Sequence, residues 1–252
     1  MKQVFTLFLI SIAASSYAQQ WQPELSLGYV YASPQDGMGT VIRQGHGLNL
    51  GFYGITPGKR WAFGVEFNAV FYGSQEERKQ FSFADGTTAD MDVTVTNYFT
   101  QFMIGSRYYL PSPTFIQPYL AAKAGYSPFA TRLSIFDPED DDHCEPVDSD
   151  VLSRSGSLVG AFGVGVQFDL SRVFKSWATG RYFIEGSATY TYGGAVDYMN
   201  VDAPAAAAGL RRDLNGEFVD TRTQVVHEHH VGYLYRDHIE LIDFRLLFSI
   251  RL

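Results

Sequence analysis

The side chains of the last nine residues alternate between an apolar face and a mainly polar face. One face of this segment carries Phe244, Leu246, Phe248, Ile250 and Leu252, and the other carries Arg245, Leu247, Ser249 and Arg251. Side chains of a β-strand point alternately to opposite faces, so the segment predicts a strand between an apolar and a polar environment. This alternation is typical of a strand in a transmembrane β-barrel, whose apolar face meets lipid.

The amino-terminal end of the chain predicts export. Lys2 precedes an apolar run over residues 4–14, and Ser16-Tyr17-Ala18 places small residues at positions −3 and −1 of a cleavage site. The run is shorter than the roughly 20 apolar residues that a membrane helix needs. We therefore expect residues 1–18 to be a secretory signal peptide and residues 19–252 to form the mature domain.

The composition excludes some classes of protein and permits others. A formal net charge of −8 argues against nucleic acid as a partner, because nucleic-acid-binding surfaces are basic. Cys144 is the only cysteine, so the chain forms no internal disulfide. The mean hydropathy of −0.09 resembles that of a soluble protein, but a barrel shows the same value because only alternate residues face lipid.

Seven further segments show the same alternation, separated by turn residues. With the closing strand that ends at Leu252, the predicted strands cover residues 21–31, 45–55, 61–73, 92–110, 115–131, 156–170 and 180–193. Their connections alternate between short and long, as periplasmic turns and extracellular loops do in outer-membrane barrels. The sequence therefore predicts an eight-stranded antiparallel up-and-down transmembrane β-barrel with both termini periplasmic. Ten strands are the alternative, because Thr223 to Tyr235 in the last long link has the features of a hairpin extension.

Charged residues fall on the faces opposite the apolar ones. The predicted interior set is Glu24, Glu66, Arg107, Lys123, Arg181, Glu185, Asp243 and Arg245. An eight-stranded barrel is just wide enough for side chains to fill, and buried charges are tolerated when they are paired. Since acids and bases balance, we expect an ion-pair network that plugs the lumen. A path for protons or small solutes through this network is the functional alternative.

Two loop segments contain candidate metal ligands. The acidic stretch 137–150 includes Asp140, Asp141 and Asp142, which suit Ca²⁺ or Mg²⁺, although its spacing is not that of an EF-hand. His227 and His229 share one face if they lie on a strand, an arrangement that suits Zn²⁺ with a third ligand. We favour solvated surface loops as the interpretation of both segments over metal sites, and we predict no cofactor.

A catalytic site on the barrel rim is the enzymatic alternative. Ser153, Ser155 and Ser157 lie near the third long link, but no histidine is followed two positions later by serine, and no base can be assigned to these hydroxyls. We therefore expect the chain not to be an enzyme, and keep lipid A modification as the alternative.

Several patterns together resemble a known family. They are the Ser16-Tyr17-Ala18-Gln19-Gln20 junction, the first strand Pro23-Glu24-Leu25-Ser26-Leu27-Gly28-Tyr29, the sixth strand Gly160-Ala161-Phe162-Gly163-Val164-Gly165-Val166, and the closing strand. On these the mature chain resembles the outer-membrane β-barrel domain family, which includes OmpA-, OmpW- and PorT-like small barrels. Such barrels usually end in Phe, whereas this chain ends in Leu252.

The resemblance implies a location and a range of roles. It implies residence in the cell outer membrane, contact with membrane lipid and lipopolysaccharide, and insertion by the barrel-assembly machinery through a signal at Phe248, Ile250 and Leu252. It also implies a structural, surface-interaction or PorT-like secretion-accessory role, with other envelope proteins as further partners. A narrow pore or transporter for small or hydrophobic solutes is the alternative role.

Overall fold

A computed structural model gives the fold of residues 21–82, 88–112, 115–136, 146, 148–170, 174, 181–199, 210–219 and 226–252. These residues form nine strands and one short helix. The strands are β1 (Gln22–Pro34), β2 (Gly45–Ile55), β3 (Trp61–Ser82), β4 (Thr88–Tyr109), β5 (Ile116–Phe136), β6 (Asp148–Asp169), β7 (Tyr182–Met199), β8 (Leu210–Val219) and β9 (Val226–Arg251), and the helix α1 is Asp36–Val41. Within the described residues, no helix is both long and apolar enough to cross a membrane.

The strands close into a barrel. Each strand from β1 to β7 is antiparallel to the next, β7 pairs with β9, and β9 pairs with β1 from Glu24↔Arg251 to Pro34↔Leu241. β8 pairs with β9 and with no other strand of the described chain, so it lies outside the closed wall. The wall therefore has eight strands, which confirms the predicted class. The ten-strand alternative is not adopted. A hairpin is present in the last long link, but it joins β8 to the start of β9 and so begins before the predicted residues 223–235.

The outer face of the wall is apolar and exposed. Leu158 is 77% exposed, Phe162 73% and Ile104 72%, values that belong to the surface of a membrane protein rather than to the surface of a soluble one. Aromatic side chains gather at both borders of this band. Trp61 and Tyr108 pack at 4.8 Å between ring centroids near the short turns, and Phe71 and Tyr98 at 6.1 Å near the long links.

The strands run further toward the long links than the sequence predicts. β3 extends to Ser82 instead of residue 73, β6 begins at Asp148 instead of residue 156, and β7 continues to Met199. For β3 and β6 the prediction was wrong because the extensions carry polar residues on both faces, as in Gln75-Glu76-Glu77-Arg78, so no alternation marks them. Above the apolar band, β6 and β7 no longer pair beyond Val159↔Gly193.

The interior of the barrel is layered. Near the short turns lies an apolar cluster that includes Tyr53, Tyr109 and Tyr119. A charged layer lies in contact with it. The mouth near the long links is filled by a second apolar cluster that includes Phe99 and Phe129. A third cluster, with members such as Val93 and Leu133, continues the apolar interior into the projecting strands.

Candidate functional site in the barrel interior

Arg107 is the centre of the charged layer. Its Nη1 lies 2.9 Å from Glu185 Oε2 and 3.2 Å from Glu24 Oε1, and its Nη2 lies 3.2 Å from Glu66 Oε1. The guanidinium also stacks over the Tyr53 ring at 4.0 Å from the centroid. Four strands, β1, β3, β4 and β7, are thereby tied together through one buried cation. Arg suits this position because its planar fork presents several donors at once.

Glu66 forms a second centre beside the first. Its Oε2 accepts hydrogen bonds from Lys123 Nζ at 2.6 Å and from Arg245 Nη1 at 2.7 Å, and its Oε1 accepts one from the Tyr53 hydroxyl at 2.7 Å. Arg245 also reaches Asp243 Oδ2 at 3.3 Å. All of these side chains are buried. A carboxylate surrounded by this many donors is compensated within the low-dielectric interior.

The seam between the first and last strands carries its own ion pair. Arg251 Nε on β9 donates to Glu24 Oε2 on β1 at 2.8 Å. Gln167 of β6 joins both groups, because it accepts from Arg251 at 2.6 Å and donates to Glu24 at 3.0 Å and to Glu185 at 2.9 Å. The same side chains that fill the lumen therefore also link the two strands that close the barrel.

The structure brings seven of the eight predicted interior residues into this layer. The predicted interior position of Arg181 was wrong. Arg181 is exposed, one residue before β7 begins, and its guanidinium lies 5.5 Å from the Tyr182 ring centroid. By its position in the alternation of β7, Arg181 belongs to the inward-facing set. It lies beyond the end of the barrel wall, however, where water reaches it. Arg251 is the fourth interior base instead. The sequence could have predicted this, because Arg251 lies on the same face of β9 as Arg245.

An amide ladder adjoins the charged layer. Asn68 joins two neighbouring strands: its Oδ1 accepts a hydrogen bond from Asn49 at 2.5 Å, and its Nδ2 donates to Gln101 at 2.7 Å. Thr131 and Asn97 form a similar pair at 2.8 Å. Buried polar groups are tolerated when they bond to one another, and here the bonds run around the inside of the wall. Paired amide and hydroxyl side chains thus line the interior from β2 to β5.

The candidate metal ligands fall largely outside the described residues. Asp140, Asp141 and Asp142 lie there, as do the side chains of His227 and His229. The backbones of these two histidines lie on β9, opposite Phe218 and Gly216 of β8. Among the residues whose side chains the structure describes, no group of three or more His, Cys, Asp and Glu side chains is arranged to hold a metal ion.

The structure also places the predicted assembly signal and one of the serines near the third long link. Phe248 is 40% exposed and Leu252 67% exposed, and with Ile250 they lie on the lipid face of the closing strand. The Ser155 hydroxyl accepts the backbone N–H of Asp197 at 3.0 Å, where β6 and β7 separate. That contact gives Ser155 a structural role.

The sequence matches a known family over most of its length. Residues 4–212 match the outer membrane protein beta-barrel domain family, and the chain therefore belongs to that family. This membership and the apolar band place the protein in the outer membrane. Among the curated proteins, none matches the sequence.

The chain is similar to several solved outer-membrane proteins at TM-scores of 0.40 or below. Neisserial surface protein A has 11% sequence identity and a TM-score of 0.40, with 92% of this chain and 96% of that chain covered. OprG from Pseudomonas aeruginosa has 12% identity and a TM-score of 0.40 over the same shares. Ail of Yersinia pestis has 13% identity and a TM-score of 0.36, covering 92% and 99%. Likenesses at this level transfer no role to the present chain.

Proposed function

We propose that this protein is a non-conducting outer-membrane barrel with a structural, surface-interaction or secretion-accessory role. The observation that carries the proposal is the filled interior. Four buried acids, Glu24, Glu66, Glu185 and Asp243, balance four buried bases, Arg107, Lys123, Arg245 and Arg251. An ion-selective channel would be expected to line its path with an excess of one sign.

The projecting strands support a role at the cell surface. β3 and β4 remain paired from the bulge at Gly73 to Ser82, which at about 3.3 Å per residue adds roughly 30 Å beyond the apolar band. Val93, Val95 and Leu133 pack against Met199 and Leu234 inside the projection. A preorganised surface of this size is suited to contact with other envelope proteins or lipopolysaccharide.

The strand count and the lengths of the connections support an orientation in the membrane. An even number of wall strands places both termini on one side, and we propose that this side is the periplasm because the short turns lie there. The apolar face of β9, ending in Phe248, Ile250 and Leu252, would then be the segment that the barrel-assembly machinery receives. The projecting strands would lie outside the cell.

Planar-bilayer recording tests whether the ion-pair network blocks the lumen. Purified protein should give no sustained discrete openings, because buried, paired charges occupy the lumen. An Arg107→Ala/Arg245→Ala variant removes two large interior bases and should raise the frequency of openings, whereas exposed Arg181→Ala should not. Sustained openings in the native protein at the frequency of a porin would contradict the proposal.

Co-purification from cross-linked cells in mild detergent would identify the surface or secretion partner.

A narrow path for small hydrophobic solutes is the second candidate. The apolar cluster in the mouth, with Phe99 and Phe129 stacked at 4.9 Å, favours it over a path for ions. Uptake of an apolar dye into proteoliposomes, without ionic conductance, would distinguish this function from the first.

A further inference from the structure

The lipid face of the wall carries a groove of about 800 Å³ that crosses the strands from β1 to β6. Its lining is apolar apart from one residue and consists mainly of outward-facing side chains, among them Phe52, Val65, Ile104, Ala124, Tyr126 and Leu158. Phe52 lies close to the short-turn end of β2, whereas Tyr126 and Leu158 lie well along β5 and β6 toward the long links. The groove therefore runs obliquely across the apolar band and ends at its long-link border.

Small residues leave room in the part of the groove at β5 and β6. Ala124 lies opposite Gly160 in the register, and a Cβ added to Gly160 would have no atom within 4 Å. Large side chains flank this pair. Ile104, opposite Ala124 on β4, and Leu158, on the same face of β6 as Gly160, are both exposed. Apolar walls beside open space suit a hydrocarbon chain, which gains dispersion contacts along its length.

Two arginines lie beyond the long-link end of the groove, on the same outer face. Arg154 of β6 pairs with Ala130 of β5, and Arg132 lies two residues further along β5. The intervening Thr131 bonds to Asn97 inside the barrel, so Arg132 points outward. Diagonal neighbours of this kind are roughly 7–8 Å apart, within reach of long side chains. Both arginines are exposed, and one anion can contact both guanidinium groups.

The charges of these two arginines are not neutralised by the acids of the described residues. Neither arginine takes part in a salt bridge there, and Arg132 Nη2 donates to the Ser149 hydroxyl at 3.1 Å. Asp150 lies opposite buried Leu133 in the register and so belongs to the other face. Its Oδ1 accepts the backbone N–H of the next residue at 2.7 Å. Two positive charges therefore face outward just beyond the apolar band.

Tyr126 joins the groove to the arginines. Its ring lines the groove, and a Cβ added to Gly156 would lie 2.3 Å from its hydroxyl oxygen. Gly156 lies between Arg154 and Leu158, the register partner of Tyr126, so the hydroxyl is directed toward the arginines and away from the apolar band. A tyrosine in this position keeps its ring in hydrocarbon and its hydroxyl at the level of the lipid head groups.

We propose that the groove and the two arginines bind one lipid that carries a phosphate monoester, with an acyl chain in the groove and the phosphate between Arg132 and Arg154. A phosphate monoester has a charge of about −1.5 to −2 at neutral pH, which two guanidinium groups balance. The planar fork of arginine also matches the geometry of phosphate oxygens. The inference deepens the proposed surface role and rests on its orientation, in which the phosphorylated lipid portion of lipopolysaccharide is the ligand.

Native mass spectrometry of the purified protein in a non-ionic detergent measures the lipid that it retains. Lipid A with its phosphates should be retained at least about tenfold more strongly than the same lipid A without them, because charge-assisted hydrogen bonds are lost. Inorganic phosphate at the same concentration should not displace lipid A, because it has no acyl chain. Equal retention of the two lipids would overturn the phosphate site, and displacement by inorganic phosphate would overturn the role of the groove.

Variants assign the preference to the two arginines. Arg132→Ala/Arg154→Ala should abolish the preference for phosphorylated lipid A, and Arg132→Lys/Arg154→Lys should restore part of it, because lysine keeps the charge but not the fork. The matched control is Arg43→Ala/Arg181→Ala, which removes two exposed arginines away from the groove. Each variant is first checked for folded migration on cold SDS gels. Equal preferences in the two alanine variants would overturn the assignment.

Filling the groove tests the acyl-chain site. Ala124→Phe leaves both arginines in place and should lower the retention of both forms of lipid A. Ala188→Phe is the matched control, because Ala188 faces outward on β7, opposite exposed Val164 and outside the groove. Equal retention by these two variants would overturn the groove. Lipid retention is measured without ionic conductance, so failure of this site is distinguishable from failure of the non-conducting role.

Discussion

Arg107 illustrates how buried charge is stabilised in this protein. Removing it from water costs several kcal/mol, and three carboxylates and the face of Tyr53 offset that cost. The groups come from strands far apart in the chain, as the separation of Arg107 from Glu24 shows. A single residue therefore contributes to the stability of four wall strands and to the obstruction of the lumen.

Arg107→Met should destabilise the barrel strongly, because it leaves three buried carboxylates short of a partner. Loss of one member of a buried ion-pair network typically costs about 3–5 kcal/mol. The measurement is urea unfolding in micelles, followed by tryptophan fluorescence. Exposed Arg181→Met is the matched control and should change the unfolding free energy by less than about 0.5 kcal/mol. Equal effects of the two substitutions would contradict the network described here.

At the scale of elements, the closing contact between β1 and β9 is tight as well as charged. Gly28 lies opposite Leu247 in the register, and a Cβ added there would lie 2.1 Å from the Leu246 carbonyl oxygen. Backbone of the partner strand occupies that space and cannot give way as a flexible side chain would. β1 and β9 thus close the barrel at a position that admits only glycine.

Gly28→Ala should lower the yield of folded barrel, since overpacking against backbone costs about 1–3 kcal/mol. Heat-modifiable migration on cold SDS gels would report the folded fraction. Gly160→Ala is the control, because Gly160 faces outward with nothing within 4 Å of an added Cβ. A normal folded fraction in the Gly28 variant would show that the seam can widen.

At the scale of the whole molecule, the barrel is asymmetric along its axis. Short connections join the strands at one end, and long links and projecting strands occupy the other. The apolar band lies between the two aromatic borders, so the projection is on one side of the membrane only. The proposed orientation places the projection outside the cell, where it is accessible to partners.

Cys144 tests this orientation, because it lies between β5 and β6 and is the only thiol of the chain. A membrane-impermeant maleimide should label Cys144 on intact cells. The Thr56→Cys variant in a Cys144→Ser background places the thiol in the turn between β2 and β3, and should react after the outer membrane is permeabilised. The reverse pattern of labelling would overturn the orientation.

The sequence by itself determined the eight wall strands, because alternation records which face of a strand meets lipid. The alternation also predicted seven of the interior charged residues, because each lies on the face opposite the apolar one. Only the tertiary structure decided which of them meet: Arg181 and Arg251 have similar local patterns, but the end of β7 and the closing register with β1 put one in water and the other against Glu24. The projecting strands and the buried helix α1 also required the structure, because their environments are created by neighbouring strands and not by membrane lipid.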